Sequence, residues 1–481
     1  MKKRGESSNR LGTPRKGDPE VKRCDDRLLF TSSDAPTHRI IEGENLYFLD
    51  WMLQEESGTI DCIYIDPPYN TGGRDFKYRD SFGGSHQDWT IFMRERLERA
   101  KGLLRSTGVI ICHIDEKEYD RLRILFKEIW GENNDLGTIV WNKRNPKGDA
   151  RGVAQQHEYI VCYAQDKEAF LNLNGALKRK KKNAVRMMRK ARSLYQNIGK
   201  QKVPNAVAEW CKKYGYTKKQ LQPFRVRYDL AMVNQEYRTW LKAQSFSGGE
   251  RAYDWIDEQG RPFQTVSMSW PNKKRPSKDY FVPLYHPING KPCPVPVRGW
   301  RNTSATMKQL LGTQEPVFLS NGMVLKGEIV FSTNRRGENN QPRRKYLLSD
   351  NLLENTPSIL DYAGSDDALF RDLGIDFPYA KPVGVAMYLL QAIHPCPRKV
   401  LDFFAGSGTT LHAVMKLNAQ REEKISCILA TNNENGIADT CYHRIQMVHS
   451  GYNNQKGERV DGLSKSNICY ERCALNPGDG R

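Results

Sequence analysis

Long apolar runs are missing from this chain. Its 481 residues are 38% hydrophobic with a mean hydropathy of −0.70, and no stretch approaches the roughly 20 apolar residues of a membrane span. The opening residues, Met1-Lys2-Lys3-Arg4-Gly5-Glu6-Ser7, lack an apolar core, so no secretory peptide is implied. Paired cysteine spacing is missing as well. The 11 cysteines are scattered irregularly, and Cys469 and Cys473, the closest pair, have no histidine near them in sequence. Zinc is therefore not expected, and free thiols in a reducing, cytoplasmic compartment are. No internal repeat is evident.

Acidic residues are comparatively scarce. Lys and Arg number 75 against 56 Asp and Glu, for a formal charge of +19. Such an excess argues for a polyanionic partner, because phosphate contacts supply most sequence-independent affinity for nucleic acid; it says nothing about fold. Three basic clusters stand out: Lys178-Arg179-Lys180-Lys181-Lys182 running on through Arg186, Arg189, Lys190 and Arg192 as a helix-like segment; Lys273-Lys274-Arg275; and Arg335-Arg336 with Arg343-Arg344-Lys345.

Residues 1–35 are polar and read as a loose tail. From Arg39 to about Ala164, strand-like runs alternate with helical patterns. The runs are Arg39–Ile41, Ile60–Ile65, Val109–Cys112, Ile139–Trp141 and Tyr159–Tyr163. This is the rhythm of a parallel α/β sheet, finished by an antiparallel hairpin. The rhythm breaks between about 166 and 345, in basic helices and a segment crowded with Trp255, Trp270, Tyr280, Tyr285 and Trp300. It returns at Val400 and at Ile425–Ala430. The middle therefore reads as an insert in one sheet whose halves meet again in space.

The most informative segment is Asp66-Pro67-Pro68-Tyr69, at the carboxyl end of the apolar run Ile60–Ile65 and before the turn residues Asn70-Thr71-Gly72-Gly73. Ligands bind at that edge of open α/β sheets. A carboxylate, a rigidly held carbonyl and an aromatic ring suit methylation of an exocyclic amine on a nucleobase. The amine lone pair is delocalised into the ring, and nitrogen gains positive charge as it attacks a sulfonium methyl. Asp66 would accept one N–H and the Pro67 carbonyl the other, stabilising charge where it develops. Tyr69 would stack on a base rotated out of the duplex. The alternative is a solvated Asp in a proline turn.

A second motif raises the case. Lys399–Phe404 reads as a buried strand, Ala405-Gly406-Ser407-Gly408-Thr409-Thr410 as a glycine loop, and Leu411–Met415 as the start of a helix. It is not a P-loop, since Gly408 is followed by Thr and not Lys. It is not the dinucleotide fingerprint either, because Leu411 holds the third glycine's place.

Together the two motifs resemble amino-methyltransferases acting on DNA, of the permuted (beta) order in which the catalytic motif precedes the methyl-donor loop. More narrowly, the chain resembles the modification subunits of type III restriction–modification systems. Supporting stretches are Gly43–Leu46, Trp89–Leu104, His113–Glu116, His157–Ile160, His286-Pro287, Gly290–Arg301, Lys345–Leu347, Tyr379–Pro382 and Asn433–Asn435. The resemblance implies an α/β, Rossmann-like S-adenosylmethionine-dependent methyltransferase fold with circularly permuted motif order and an inserted target-recognition domain. The expected layout is a polar tail (1–35), a catalytic half (36–165), a DNA-binding insert (166–345), a cofactor-binding half (346–452) and a second polar tail (453–481).

The resemblance further implies Asp66, Pro67, Pro68 and Tyr69 as catalytic, with Asp in the first place marking the adenine-N6 form. Asp402, Phe404, Gly406, Gly408, Thr409, Glu434, Lys381 and Glu44 are implied in holding S-adenosylmethionine. Lys381 would lie near the methionine carboxylate, and Glu434 would accept from ribose hydroxyls. Candidate DNA contacts are Lys180, Lys181, Arg275, Arg336 and Arg344. His157 and His286 read as structural hydrogen-bonders, since the methylated ammonium is acidic enough to lose its proton without a histidine base. Expected partners are double-stranded DNA, a second copy of the chain, and a nuclease–helicase restriction subunit, as the chain carries no P-loop of its own. A cytosine-N4 methyltransferase and a non-catalytic DNA-specificity subunit are the alternatives.

Overall fold

A computed structural model describes residues 19–24, 27–72, 82, 85–144, 152–173, 175–199, 230–271, 277–319, 323–332, 340–377 and 380–475. Two compact units are present, one built from residues up to Arg179 and from Asn355 onward, the other from Lys180 to Glu354.

The first unit is organised by a ten-stranded sheet. In chain order its strands begin with β1 (Pro19–Arg23), β2 (Thr37–Glu42), β3 (Ile60–Ile65), β4 (Leu104–Ile114), β5 (Asp135–Asn142) and β6 (His157–Ala164). After the second unit come Ile359–Asp361, Lys399–Asp402, Ser426–Thr431 and Asn467–Leu475. Across the sheet the order is β1, 467–475, β2, 426–431, 399–402, β3, β4, β6, β5, 359–361. The six strands from 467–475 to β4 are mutually parallel. β6 runs antiparallel to both β4 and β5, the hairpin expected from the sequence.

Parallel strands must be covered on both faces, which is why they read as near-continuous apolar runs. Helices α1 (Asn45–Glu55), α2 (His86–Leu103) and α3 (Tyr119–Trp130) bury Phe48, Leu49, Met93, Leu97, Leu122 and Phe126 against Ile63, Ile65, Ile110 and Leu401. The helices Val383–Ala392, Thr409–Ala419 and Ile437–Ser450 bury Leu389, Leu390, Leu411, Val414 and Ile445 with Cys62, Tyr64, Val400 and Leu429. Thus β3 and the 399–402 strand are neighbours, with Val400 opposite Cys62 and Leu401 opposite Ile63, yet their following helices lie on opposite faces. Such a switch point opens a crevice at the carboxyl ends of the two strands.

Both stretches read as polar tails carry sheet strands. Asn467–Leu475 pairs with β2 over six positions and with β1 over five, burying Ile468 and Tyr470. Its apolar residues are too few and too interrupted by charge for composition alone to flag them. Residues 166–179 also join the first unit, where Phe170 packs into the core. The helix-like reading of the basic run is corrected at its start. Ala176–Lys180 is a strand, with Leu177 opposite Ile393, and the helix covers only Ala184–Leu194.

The second unit contains an antiparallel sheet of six strands in the order 317–318, 324–326, 329–331, 343–347, 262–267, 255–256. The helices Ala184–Leu194 and Ala231–Lys242 share its core through Met187, Ala191, Val233, Tyr237, Leu325 and Val330.

Candidate active site

Asp66 directly follows β3, and the turn behind it is pinned by buried hydrogen bonds. Nε1 of Trp89, fully buried on α2, donates to the Pro68 carbonyl at 2.7 Å. Asn70 adopts a φ of 59°, a left-handed conformation Asn tolerates because its short side chain bonds locally. Its Nδ2 donates to Glu118 Oε1 at 2.7 Å, its Oδ1 accepts from Phe82 N–H at 3.2 Å, and Lys117 Nζ donates to its carbonyl. The Pro68 carbonyl is held by Trp89 and the Asn70 carbonyl by Lys117.

The Tyr69 hydroxyl donates to Asp66 Oδ1 at 2.7 Å. Burial pushes the Asp66 carboxyl up; Lys381 pulls it down, and the Glu158 charge adds to the rise.

Across the crevice, Asp402 ends its strand with Oδ1 accepting from Phe404 N–H at 3.0 Å and Oδ2 accepting from the Thr410 hydroxyl at 2.5 Å. Despite those bonds, burial pushes Asp402 up to about 7. The glycine loop turns at Gly406 (φ 50°) and Gly408 (φ 82°). A Cβ on Gly408 would lie 2.8 Å from Cys441 Sγ, so the loop packs too closely to admit a side chain there. Beneath it the buried Arg444 donates to Ser407 Oγ at 2.9 Å and Thr409 Oγ1 at 3.0 Å. Thr409 Oγ1 in turn donates to the Lys381 carbonyl at 3.3 Å.

These elements enclose one cavity of about 440 Å³ whose lining includes Glu44, Asp66, Pro68, Phe92, Phe377, Lys381, Asp402, Phe404, Gly406, Thr409 and Glu434. Volumes of that order hold small-molecule cofactors. Glu44 caps α1, accepting from Leu46 N–H at 3.5 Å, and pairs with Arg96 at 2.5 Å. Glu434 sits in a short 3-10 turn after the 426–431 strand and is exposed. A lining that combines aromatic rings, a glycine loop and the carboxylates Glu44, Glu434 and buried Asp402 suits a ligand with a polar amino-acid end and a sugar-bearing ring.

Sequence residues some 336 positions apart are therefore brought into one crevice, but not every expected site residue sits where it was placed. Lys381, expected to hold the cofactor, lines the cavity, and its ammonium reaches Asp66 and Glu158. Of the expected DNA contacts, Lys181 is 7% exposed and donates to the carbonyls of Asn351 and Leu353, which ties it into its own unit. Arg344 pairs with Glu328 at 3.1 Å, and Lys180 is exposed. Arg275 and Arg336 lie outside the described residues. Sequence reasoning missed Glu158, Trp89 and Arg444; the first two fall in stretches that carried the family resemblance, while nothing local marked Arg444 in its helix.

A family model described as DNA methylase, covering the N6 and N4 types, matches residues 60–440. The chain belongs to the DNA methylase family. It is 26% identical over 431 residues to the type III restriction-modification enzyme EcoP15I Mod subunit of Escherichia coli, covering 82% of this chain and 58% of that one. It is 25% identical over 458 residues to the StyLTI Mod subunit of Salmonella typhimurium, covering 89% and 56%. It is 37% identical over 147 residues to the type II methyltransferase M.KpnI of Klebsiella pneumoniae, covering 29% and 35%. The chain thus spans a little over half the length of the Mod subunits it matches. Its mixed α/β fold, with the Asp66 turn ahead of the glycine loop in the chain and lining the same cavity, agrees with the permuted order expected from the sequence.

Proposed function

We propose that this methylase transfers a methyl group from S-adenosylmethionine to N6 of adenine in duplex DNA. The observation that carries the reading is the shared crevice: Asp66 and Asp402 end adjacent parallel strands and line the same cavity of about 440 Å³. When bound, S-adenosylmethionine supplies an electrophilic methyl group on sulfur. The glycine loop, Asp402, Phe404 and Glu434 would hold it. Phe92 and Phe377 line the same cavity.

Asp66 then accepts one N–H of the acceptor amine and the Pro67 carbonyl the other, so that positive charge developing on nitrogen meets a carboxylate held in place beforehand. Tyr69 fixes Oδ1 of that carboxylate and would stack its ring on the entering base. The proton lost afterwards comes from an ammonium acidic enough to need no histidine. Support for adenine comes from Asp in the first place of the motif and from the likeness to Mod subunits. The same likeness supports a modification role within a restriction–modification system, with a second copy of the chain and a nuclease–helicase subunit as partners. The test is transfer of labelled methyl to duplex DNA by the wild type and by Asp66→Ala. Transfer that Asp66→Ala leaves unchanged would overturn the assignment, and no transfer by the wild type would remove the activity itself.

A further inference from the structure

The Asp66 end of the cavity holds more charge than one acceptor carboxylate needs. Lys381 Nζ lies 2.9 Å from Glu158 Oε2 and 3.4 Å from Asp66 Oδ1. Its side chain is 12% exposed and that of Glu158 9%. The Tyr69 ring centroid is 4.6 Å from the same ammonium and that of Trp141 5.9 Å. Glu158 Oε1 accepts from Lys143 Nζ at 2.7 Å, and Oε2 stands 3.2 Å from the Tyr69 hydroxyl. The order Lys143, Glu158, Lys381, Asp66 therefore alternates in sign.

Four separate elements supply this chain of charges. Asp66 follows β3, Glu158 lies in β6, Lys143 follows β5, and Lys381 precedes the helix Val383–Ala392. Behind it, Tyr64 of β3 and His113 of β4 form a 2.8 Å hydrogen bond, and burial together with Lys381 pushes His113 down to about 3, so that ring is neutral. Asp402 faces Asp66 from the neighbouring strand.

Buried ions are tolerated only when compensated. Without a cation, Asp66 would be pressed toward its protonated form by burial and by Glu158. A protonated Asp66 cannot stabilise a nitrogen that is becoming positive. Among the described residues, the hydrogen bond and the ion pair to Asp66 both reach Oδ1, which leaves Oδ2 for an incoming amine.

We propose that Lys381, anchored by Glu158, is a positioning residue for methyl transfer: it keeps Asp66 an anion, ties Oδ1, and leaves Oδ2 to the acceptor amine. The proposal rests on the reading of Asp66 given above. Glu158 acts one step further back, holding Lys381 so that the ammonium does not swing toward the donor end of the cavity.

The experiment is single-turnover methyl transfer as a function of pH, at saturating duplex and S-adenosylmethionine, for the wild type, Lys381→Arg, Lys381→Met and the double variant Lys381→Met with Glu158→Gln. Thermal melting and S-adenosylhomocysteine binding accompany each. Lys381→Met is expected to move the acidic limb alkaline by about one pH unit or more, a loss of about tenfold on that limb. Lys381→Arg should keep the wild-type limb. The double variant should fall between them, because it removes one charge of each sign and Lys381 outweighs Glu158 at Asp66; it also carries the test if Lys381→Met does not fold. A loss by the same factor at every pH, with the limb unmoved in Lys381→Met or in the double variant, overturns the role of Lys381. A wild type that transfers nothing at any pH overturns the methyl-transfer reading instead.

Discussion

Asp66 and Asp402 end neighbouring strands and line the same cavity, but their compensation differs. Asp66 has a cation beside it and Asp402 has only a hydroxyl and an N–H, so burial dominates and pushes Asp402 up to about 7. Its folded value thus lies above its unfolded one. The favourable contribution is complete below about pH 4 and is lost as pH rises through about 7, because ionisation must then occur in a buried site. Asp402→Asn is therefore expected to flatten the stability–pH curve in that window relative to the wild type, measured by denaturant midpoints at pH 4.5 and 7.5, while weakening S-adenosylmethionine binding. Parallel curves would contradict it. Glu158 is the opposite case: its two lysine partners hold it down at about 2, so its contribution is present above about 4.5 and lost only as pH falls through 2. For catalysis, Asp66→Ala should lower the single-turnover rate by about 10²–10³ while leaving cofactor affinity within a few-fold. An equal loss in both would make Asp66 a cofactor ligand.

Two turns, more than any helix or strand, set the geometry of the site. The Asp66 turn depends on Trp89 of α2. Replacing Trp89 by Phe removes the donor to the Pro68 carbonyl and leaves that buried acceptor unpaired, at a cost of about 1–3 kcal/mol. The expected outcome is slower transfer with an unchanged Michaelis constant for the donor, and a normal rate would show that the turn holds itself. The glycine loop is equally constrained. Gly408→Ala forces a Cβ against Cys441 at a positive φ, which should destabilise the fold by about 1–3 kcal/mol and weaken donor binding; an unaltered melt and affinity would contradict the packing account. Much of this was legible in the sequence. The runs Ile60–Ile65 and Lys399–Phe404, each followed by turn or glycine chemistry, announced strand ends, and both motifs lie there. The sequence did not disclose that the strands are adjacent, since 336 residues separate their carboxylates. Nor did it disclose Trp89, Glu158 or Arg444 as supports, because their roles are set by tertiary partners and not by local pattern. Lys181 shows the converse: within a basic run it looks like a phosphate contact, yet two backbone carbonyls hold it.

At the scale of the whole molecule, the charge of +19 is the dominant long-range property. It predicts duplex affinity that falls steeply with salt, by more than about tenfold between roughly 50 and 200 mM, as counterion release requires. A salt-insensitive affinity measured by titration would indicate that the positive charge does not face the duplex. Among the described residues no helix is long and apolar enough to cross a membrane and no group of His, Cys, Asp and Glu could hold a metal ion. The methyl-transfer reading draws on neither. Its central claim is that Asp66 accepts an adenine amine in a crevice shared with the methyl donor. The most direct measurement is digestion of duplex DNA treated with the purified protein and S-adenosylmethionine, followed by identification of the methylated nucleoside. The account predicts N6-methyl-2′-deoxyadenosine from the wild type and none from Asp66→Ala. N4-methyl-2′-deoxycytidine, or equal product from the two proteins, would contradict it.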